Sequence, residues 1–202
     1  MSKKKIKFTR NELKAQRESL ARFNRFLPTL ELKKMLLQLE KEKAARQLEA
    51  LEGKISSFLK EVAPWEKLLG ESCPKKVTEL VHLAEVITDK INIAGIFIPV
   101  YKEALIEVDD YDHFLTPPWY DKGIEVVHRK IALEEEKKIL QEQEEIILLE
   151  LRKTTQRINL FRERLIPECK ENIRQIRIYL GDMQAAAVGR AKIAKQKNKE
   201  KE

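Results

Sequence analysis

Apolar residues recur at alternating spacings of three and four between Thr9 and Val62. This alternation is a heptad rhythm, which keeps a narrow apolar strip, here called the seam, along one side of a helix, as in a coiled coil. A single helix of this kind leaves its seam in water, so a partner helix of similar length is expected. The seam contains two series, Phe23, Leu30, Leu37, Ala44, Leu51 and Phe58, and Leu20, Leu27, Lys34, Lys41, Leu48, Ile55 and Val62.

A second seam begins at Ile147 and supplies the partner. We expect its helix to begin near Gly123 and to end at about Arg190. The rhythm is interrupted only around Pro167, where three spacings of four follow one another, and this predicts a local change in winding. The second seam contains Ile147, Leu151, Thr154, Ile158, Phe161, Leu165, Cys169, Ile173, Ile176, Leu180, Met183 and Ala187.

The two helices are expected to pack antiparallel, because one chain supplies both and the connection between them can reverse its direction. The chain termini then lie together at one end. Pro28 and Pro167 stand inside the helical segments, where a proline removes one backbone hydrogen bond. We expect kinks there and no helix ends, because the heptad phase continues unchanged across Pro28.

The connection between the helices differs from them in pattern. "PWEKLLGESCPKK" predicts a broken turn region, "KVTELVHLAEVI" a short amphipathic helix, and "INIAGIFIPVYKEALIEV" strands, from its β-branched and aromatic residues. Pro99 cannot donate to a central ladder, which favours an edge or a hairpin. Simple alternation puts Ile91, Ile93, Phe97 and Tyr101 on one face of the strand, and Ala94, Ile96, Ile98 and Val100 on the other.

The predicted fold is therefore mainly α. It is a long antiparallel two-helix coiled coil with a small middle insert that contains a short helix and a β-hairpin. The boundaries are an N-terminal coiled-coil helix at 1–63, the middle insert at 64–122, and a C-terminal coiled-coil helix with a basic tail at 123–202.

The composition agrees with long helices, and the distribution of apolar residues indicates where in the cell the protein is expected. Charged residues make up 36% of the chain, and there are only 6 Gly and 7 Pro. The sequence has no apolar run of about 18 residues and no apolar core for a secretory signal near its start, which predicts a cytoplasmic protein without a transmembrane segment. Both ends of the chain are basic and the middle is acidic.

Catalytic and ligand-binding motifs are missing from the sequence. It has no phosphate-binding glycine loop, no HExxH and no GxSxG. His82, His113 and His128 are scattered, and Cys73 and Cys169 have neither CxxC spacing nor a nearby His pair. The acidic cluster that precedes His113 lacks the Gly and the terminal Glu of an EF-hand, which favours a solvated loop. We therefore expect no enzyme activity, no metal and no cofactor.

The run "GRAKIAKQKNKEKE" from Gly189 is basic and has no aromatic residues. It is compatible with a nucleic-acid-binding tail, a solvated helix end, or a tip inserted into an acidic protein sleeve. The lack of aromatic residues gives base stacking no support. Pattern alone does not separate these three interpretations.

Three stretches stand out as a set: "TRNELKAQRESL" from Thr9, "NIAGIFIPVY" from Asn92, and "TTQRINLFRERLIPECKENIRQIRIYL" from Thr154. Together they resemble the D subunit, the central rotor shaft of V-type and related archaeal-type rotary ATPases. The last is the most specific, because its residues fall where the family pattern R-x-N-A-L-E…I-P…T-I places them. These residues are Arg157, Asn159, Ile166, Pro167 and Ile173. The resemblance covers nearly the whole chain.

The resemblance implies a non-catalytic, stiff shaft that transmits torque between a catalytic hexamer and a membrane ion-translocating ring. It implies partners among A-type and B-type head subunits, the small F-type stalk subunit and a membrane-side socket subunit, and a location peripheral to the membrane through the complex. It also implies a short β-hairpin at "NIAGIFIPVY". The alternatives are a cytoplasmic coiled-coil tether and, less favoured, a basic nucleic-acid-binding coiled coil. The predicted partner-binding residues are Ile93, Ile96, Phe97, Ile98, Tyr101, Arg190, Lys192 and Lys195.

Overall fold

The computed structural model of the protein describes residues 6–65, 76–112 and 116–199. The chain forms two compact units. The terminal unit comprises Met1–Lys34 and Lys153–Glu202, and the middle unit comprises Met35–Arg152. Helix α1 (Arg10–Val62) leads into a single 3-10 turn at Ala63–Trp65.

The N-terminus of α1 is capped by its own sequence. The Glu12 backbone N–H donates to Thr9 Oγ1 at 3.2 Å, and the Leu13 N–H donates to the Thr9 carbonyl at 3.0 Å. Thr followed three residues later by Glu is the sequence of a capping box, which satisfies backbone donors that a helix start leaves open. The helix then continues through Pro28 to Val62.

The predicted seam of α1 is confirmed by burial. In the heptad series, Leu37, Ala44, Leu51 and Phe58 are all buried. The second series is half-buried from Leu20 to Val62. Because buried positions recur at the heptad spacing, the helix turns one narrow side to its partner, as a coiled-coil pattern requires.

The C-terminal helical region is longer at both ends than predicted. It consists of helix α3 (Tyr120–Asn159), a π-helical segment (Leu160–Leu165) and helix α4 (Ile166–Lys199). The π segment lies where the seam spacing is irregular, just before Pro167. The predicted change of winding there takes the form of turns closed by longer-range backbone hydrogen bonds.

In the terminal unit, α1 packs antiparallel to this region. From Phe8 to Phe23 the residue numbers rise on the N-terminal side while those of their partners fall from Tyr179 to Phe161, which is the order of an antiparallel pair. The contacts are Phe8 with Tyr179 at a ring distance of 5.1 Å, Gln16 with Asn172 at 3.4 Å, Phe23 with Phe161 at 5.1 Å, and Glu31 with Arg162.

The middle unit has the same antiparallel arrangement. Ala44 and Ile147 share a buried cluster. Further along α1, Glu52 forms an ion pair with Lys137 at 2.8 Å, and the Arg129 guanidinium lies 5.1 Å from the centre of the Phe58 ring. The antiparallel pairing predicted from the seams is thus confirmed within each unit.

The assignment of Met183 and Ala187 to the second seam was wrong. Cys169, Ile173 and Ile176 are buried, but Met183 is 48% exposed and Ala187 is also exposed. The reason is geometric: α1 begins at Arg10, and Phe8 already lies beside Tyr179. The described part of α1 therefore cannot cover the helix beyond this point.

The short amphipathic helix predicted for "KVTELVHLAEVI" was largely wrong. Helix α2 covers only Val77–Leu80, and strand β1 (Val81–Ile93) follows at once. Strand β2 (Ile96–Val108) pairs with it from Val81 opposite Val108 to Ile93 opposite Ile96, with register shifts between Leu83 and Glu85 and between Ile87 and Thr88. A complete cross-strand partner outweighs the weak helix propensity of this segment.

A small core stabilises the base of this hairpin. Val77, Leu80, Val81, Tyr120 and Val127 are buried together, so the hairpin base packs on the beginning of α3. The Tyr111 hydroxyl, at the edge of this core, donates to Asp121 Oδ1 at 2.6 Å. This hydrogen bond raises the pKa of Tyr111. Most of the predicted turn region "PWEKLLGESCPKK", including Cys73, lies outside the described residues, as does His113.

Replacing Thr154 with Val is expected to stabilise the terminal unit. Thr154 is 1% exposed, and its Oγ1 has no hydrogen-bond partner among the described residues. An unsatisfied buried hydroxyl costs about 1–3 kcal/mol, and Val has nearly the same shape. Urea unfolding of the purified chain measures the gain, with Thr155→Val, at a less buried position, as the control. A Thr154→Val protein that is less stable than the parent would show that the hydroxyl is satisfied.

Candidate partner-binding surfaces

The tip of the hairpin is a two-residue turn, Ala94-Gly95. Both residues have positive φ, 51° and 82°, as a type I′ turn requires. The Gly95 N–H donates to Asn92 Oδ1 at 3.1 Å, which closes the turn. The uncharged stretch from Asn92 to Tyr101 is therefore the turn of the hairpin and the start of its second strand.

The predicted assignment of faces was wrong at this turn. The register pairs Ile91 with Ile98, Asn92 with Phe97 and Ile93 with Ile96. Residues directly opposite each other share a face, so Ile93 lies with Ile96 and Ile98, and Phe97 lies on the other side. The alternation had been counted straight through Ala94 and Gly95, where the chain reverses direction.

The inner face of the hairpin tip packs on the helices of the middle unit. Ile98 is 2% exposed and forms a buried cluster with Ala44 and Ile147, against which Ile93 and Ile96 also pack. These three isoleucines were predicted to contact a partner protein. In this structure their side chains attach the hairpin to its own helices.

The outer face presents Phe97. Its side chain is 67% exposed, the largest value among the large apolar residues that the structure describes. Its cross-strand neighbour Asn92 is exposed as well. A single exposed apolar residue is common on protein surfaces, so exposure alone does not identify a binding site. Its position next to a tight turn makes Phe97 the most accessible apolar group of the predicted set.

Tyr101 lies between these two environments. Its side chain is half-buried and lines a groove between the hairpin and the helices, together with Ala44, Leu140 and Glu136. Burial raises the pKa of Tyr101, and the carboxylates of Glu136 and Glu103 raise it further.

The predicted basic residues lie on α4 in the terminal unit. Arg190, Lys192 and Lys195 are all exposed. The preceding residues of the helix, from Asp182 to Val188, are exposed too. Cations near a helix C-terminus interact favourably with the helix dipole. The eight predicted residues thus form two surfaces, the hairpin tip in the middle unit and the basic end of α4 in the terminal unit.

A second apolar surface in the middle unit was not predicted from the sequence. Met35, Leu36, Leu39 and Leu149 are each between 43% and 57% exposed. Met35 and Leu39 line a groove with Leu151. The sequence did contain a signal for this surface, because "KKMLLQLE" has more apolar residues than one heptad seam uses.

Replacing Ala94 with Asn is expected to stabilise the hairpin. Ala94 has a φ of 51°, in the left-handed region, which costs a residue with a Cβ about 1–2 kcal/mol. Asn tolerates this conformation and is preferred before Gly in a type I′ turn. We expect a gain of about 1 kcal/mol in the free energy of unfolding by chemical denaturation. Ala104→Asn, at a buried strand position, should lower stability and serves as the contrast; a loss in both proteins would refute the turn assignment.

The family comparison is decisive for identity. Residues 12–196 match the family model described as the D subunit of ATP synthase. The chain belongs to this family. The match includes both candidate surfaces, the hairpin tip at 93–101 and the basic residues at 190–195.

Curated D-subunit relatives match nearly the whole chain. The V-type ATP synthase D subunit of Borreliella burgdorferi is 40% identical over 191 residues, which cover 95% of this chain and 94% of the relative. The protein of the same name from Chlamydia pneumoniae is 31% identical over 197 residues, covering 95% and 92%. That of Chlamydia caviae is 31% identical over 195 residues, covering 95% and 93%.

A helix of this D-subunit family member would need sufficient length and hydropathy to span a membrane. Among the residues that the structure describes, no helix is both long enough and apolar enough to cross a membrane.

Proposed function

We propose that this chain is the central-stalk shaft of a V-type ATP synthase and transmits torque between the catalytic head and the membrane ion-translocating ring. The observation that carries the proposal is the family match over residues 12–196, joined by relatives named as the D subunit of V-type ATP synthase that align with 95% of the chain. The shaft has no active site of its own in this proposal. The chemistry belongs to the head subunits.

The architecture supports such a role in physical terms. Antiparallel helices joined by a regular seam resist bending and twisting without a large globular core, because each helix constrains the other along its length. The buried series provides this constraint in the middle unit; it contains Leu37, Ala44, Leu51 and Phe58.

The proposed partners follow from this role. The basic end of α4 contacts A-type and B-type head subunits, and the hairpin side of the middle unit contacts the small F-type stalk subunit or the membrane-side socket subunit. The protein then lies in the cytoplasm, peripheral to the membrane through the complex. Among the five predicted hairpin residues, Phe97 and Tyr101 are available for such contacts, because the side chains of Ile93, Ile96 and Ile98 pack inward.

The two alternatives have less support. A cytoplasmic tether would use the same helices, but the family match gives it no support. A nucleic-acid-binding coiled coil would need base-reading or stacking groups near its cations, and the exposed basic end from Arg190 to Lys197 has no aromatic residue.

Reconstitution tests the proposal. The purified chain is mixed with a head hexamer of A-type and B-type subunits and with the F-type stalk subunit, and the mixture is separated by size. We expect a stoichiometric complex whose ATP hydrolysis depends on this chain. Failure to enter the complex, together with tight DNA binding at physiological salt, would favour the nucleic-acid alternative.

Neutralising Arg190, Lys192 and Lys195 by substitution with Gln is expected to weaken binding to the head hexamer. The effect should be larger at low salt, where exposed charges are screened least. Binding measured at two salt concentrations checks this. The matched control neutralises the exposed Lys54, Lys60 and Lys76 of the middle unit. Equal losses from both triple substitutions would indicate an effect of net charge alone and contradict a specific basic end.

A further inference from the structure

The seam of the terminal unit contains one residue more than its heptad repeat needs. A strict repeat continued from Ile158 and Phe161 reaches Leu165 and then Glu168. Glu168 is exposed, and the buried apolar residues are Cys169, Ile173 and Ile176, each one residue later than the repeat requires. Asn172, at a position of the strict repeat, is buried as well, where its amide donates to Gln16 Oε1. The surplus residue therefore lies between Phe161 and Cys169.

The π-helical segment at Leu160–Leu165 accommodates this residue. The Ile166 N–H donates to the Phe161 carbonyl, five residues back, so this turn holds one residue more than an α-turn. The proline lies immediately after it. In a regular α-helix the Pro167 ring would clash with the carbonyl of Glu163, and Pro167 has no N–H to donate. The surplus residue and the proline thus weaken the same turn.

Packing is also weak at this turn. None of the six residues of the π segment is buried, whereas Ile158 before it and Cys169 after it are. The side-chain contacts of the segment with α1 include the ring contact of Phe161 with Phe23 at 5.1 Å and the ion pair of Arg162 with Glu31. The pair is exposed, and exposed ion pairs contribute little to stability.

We propose that Leu160–Pro167 is a compliant joint in the C-terminal helix. It opens locally while the seam on either side stays paired, and it yields first when the helix is twisted. Local opening is a property of the isolated chain, whereas yielding under twist rests on the proposed function as a shaft. Local opening of this kind is favoured where buried contacts are few and backbone hydrogen bonds are poor.

Hydrogen exchange of the full-length chain tests the joint. We expect amides 161–166 to exchange at least about tenfold faster than amides 170–176 of the flanking seam. Deletion of Pro167 restores an uninterrupted repeat, so exchange at this turn should slow to the flanking rate, and the thermal midpoint should rise by roughly 5 °C. Uniform exchange across 161–176 in the parent chain, or unchanged exchange after the deletion, would overturn the proposal.

Two control variants separate the causes. Pro167→Ala removes the proline but keeps the surplus residue, so fast exchange should persist. If this substitution slows exchange as much as the deletion does, the surplus residue is not the cause and the proposal is wrong. Deletion of the exposed Arg157 shortens the same helix where the repeat is regular and should lower the thermal midpoint. If deletion of Pro167 lowers the thermal midpoint by a similar amount, the proposal is also overturned.

The reconstituted complex tests the part that depends on function. With a probe attached to the chain and the head immobilised, deletion of Pro167 should narrow the thermal angular spread of the probe. If the angular spread of the probe is unchanged in an assembled complex, the proposal that the joint yields under torque is overturned. If the parent chain fails to assemble at all, the proposed function fails, while the exchange result on the isolated chain still decides whether the joint exists.

Discussion

Replacing Leu37 with Asp is expected to destabilise the helix pair severely. Leu37 is fully buried in the seam of the middle unit. An unpaired carboxylate at such a position loses its hydration without a compensating partner, at a cost of several kcal/mol. Domains have a total stability of only about 5–15 kcal/mol, so the thermal midpoint should fall by about 10 °C or more. Circular dichroism of the purified chain measures both helical content and midpoint.

Leu36→Asp is the matched control for this experiment. Leu36 is the neighbouring residue on the same helix and is 43% exposed, so the same substitution there leaves the carboxylate in water. We expect little change in its midpoint. If the thermal midpoints of the two variants are equal, whether both are lowered or neither is, the assignment of the seam is contradicted.

Replacing Phe97 with Ser is expected to impair the assembled complex without unfolding the chain. The ring is 67% exposed, so its removal costs the isolated protein little. Loss of an aromatic anchor at an interface costs about 2 kcal/mol or more, which corresponds to a loss in affinity of about 30-fold or more. Titration of the F-type stalk subunit onto the chain, and ATP turnover of the reconstituted complex, measure the effect.

Ile98→Ser provides the contrast, because Ile98 is the adjacent residue and is 2% exposed. Its truncation should lower the free energy of unfolding by about 3 kcal/mol. Replacing the whole stretch 93–101 by a linker would combine both effects. If Phe97→Ser destabilises the chain as much as Ile98→Ser, or leaves both binding and turnover unchanged, Phe97 is not a partner contact.

The helical part of the fold was predictable from the sequence because its information is periodic. Burial at Leu37, Ala44, Leu51 and Phe58 follows directly from the heptad spacing. The end of the paired region was not predictable in this way. It depends on which residue of α1 lies opposite Tyr179, and a single-helix pattern does not contain that register.

The hairpin was predictable only in part. Pro99 and the β-branched residues indicated strands, but the first strand, Val81–Ile93, contains stretches with amphipathic helical spacing. Its identity as a strand comes from pairing with β2, a tertiary contact that local propensity does not encode. The face of Phe97 depended on locating the turn at Ala94 and Gly95, and Ala is an unusual residue at a position with positive φ.

The π segment shows how an irregular sequence pattern can be informative. The run of equal spacings through Leu165, Cys169 and Ile173 predicted altered winding, and the structure has a π-helix directly before this stretch. The pattern did not distinguish a change of supercoil from a local π-turn, because both accommodate one surplus residue.

Observation of rotation tests the central claim most directly. A probe is attached through Cys at position 90, on the exposed hairpin, in a chain whose native cysteines are replaced, and the reconstituted head is fixed to a surface. If the chain is the shaft, ATP should drive steps of the probe in one direction, and they should stop when ATP is removed. A complex that contains the chain and hydrolyses ATP while the probe stays fixed or only fluctuates would contradict the account.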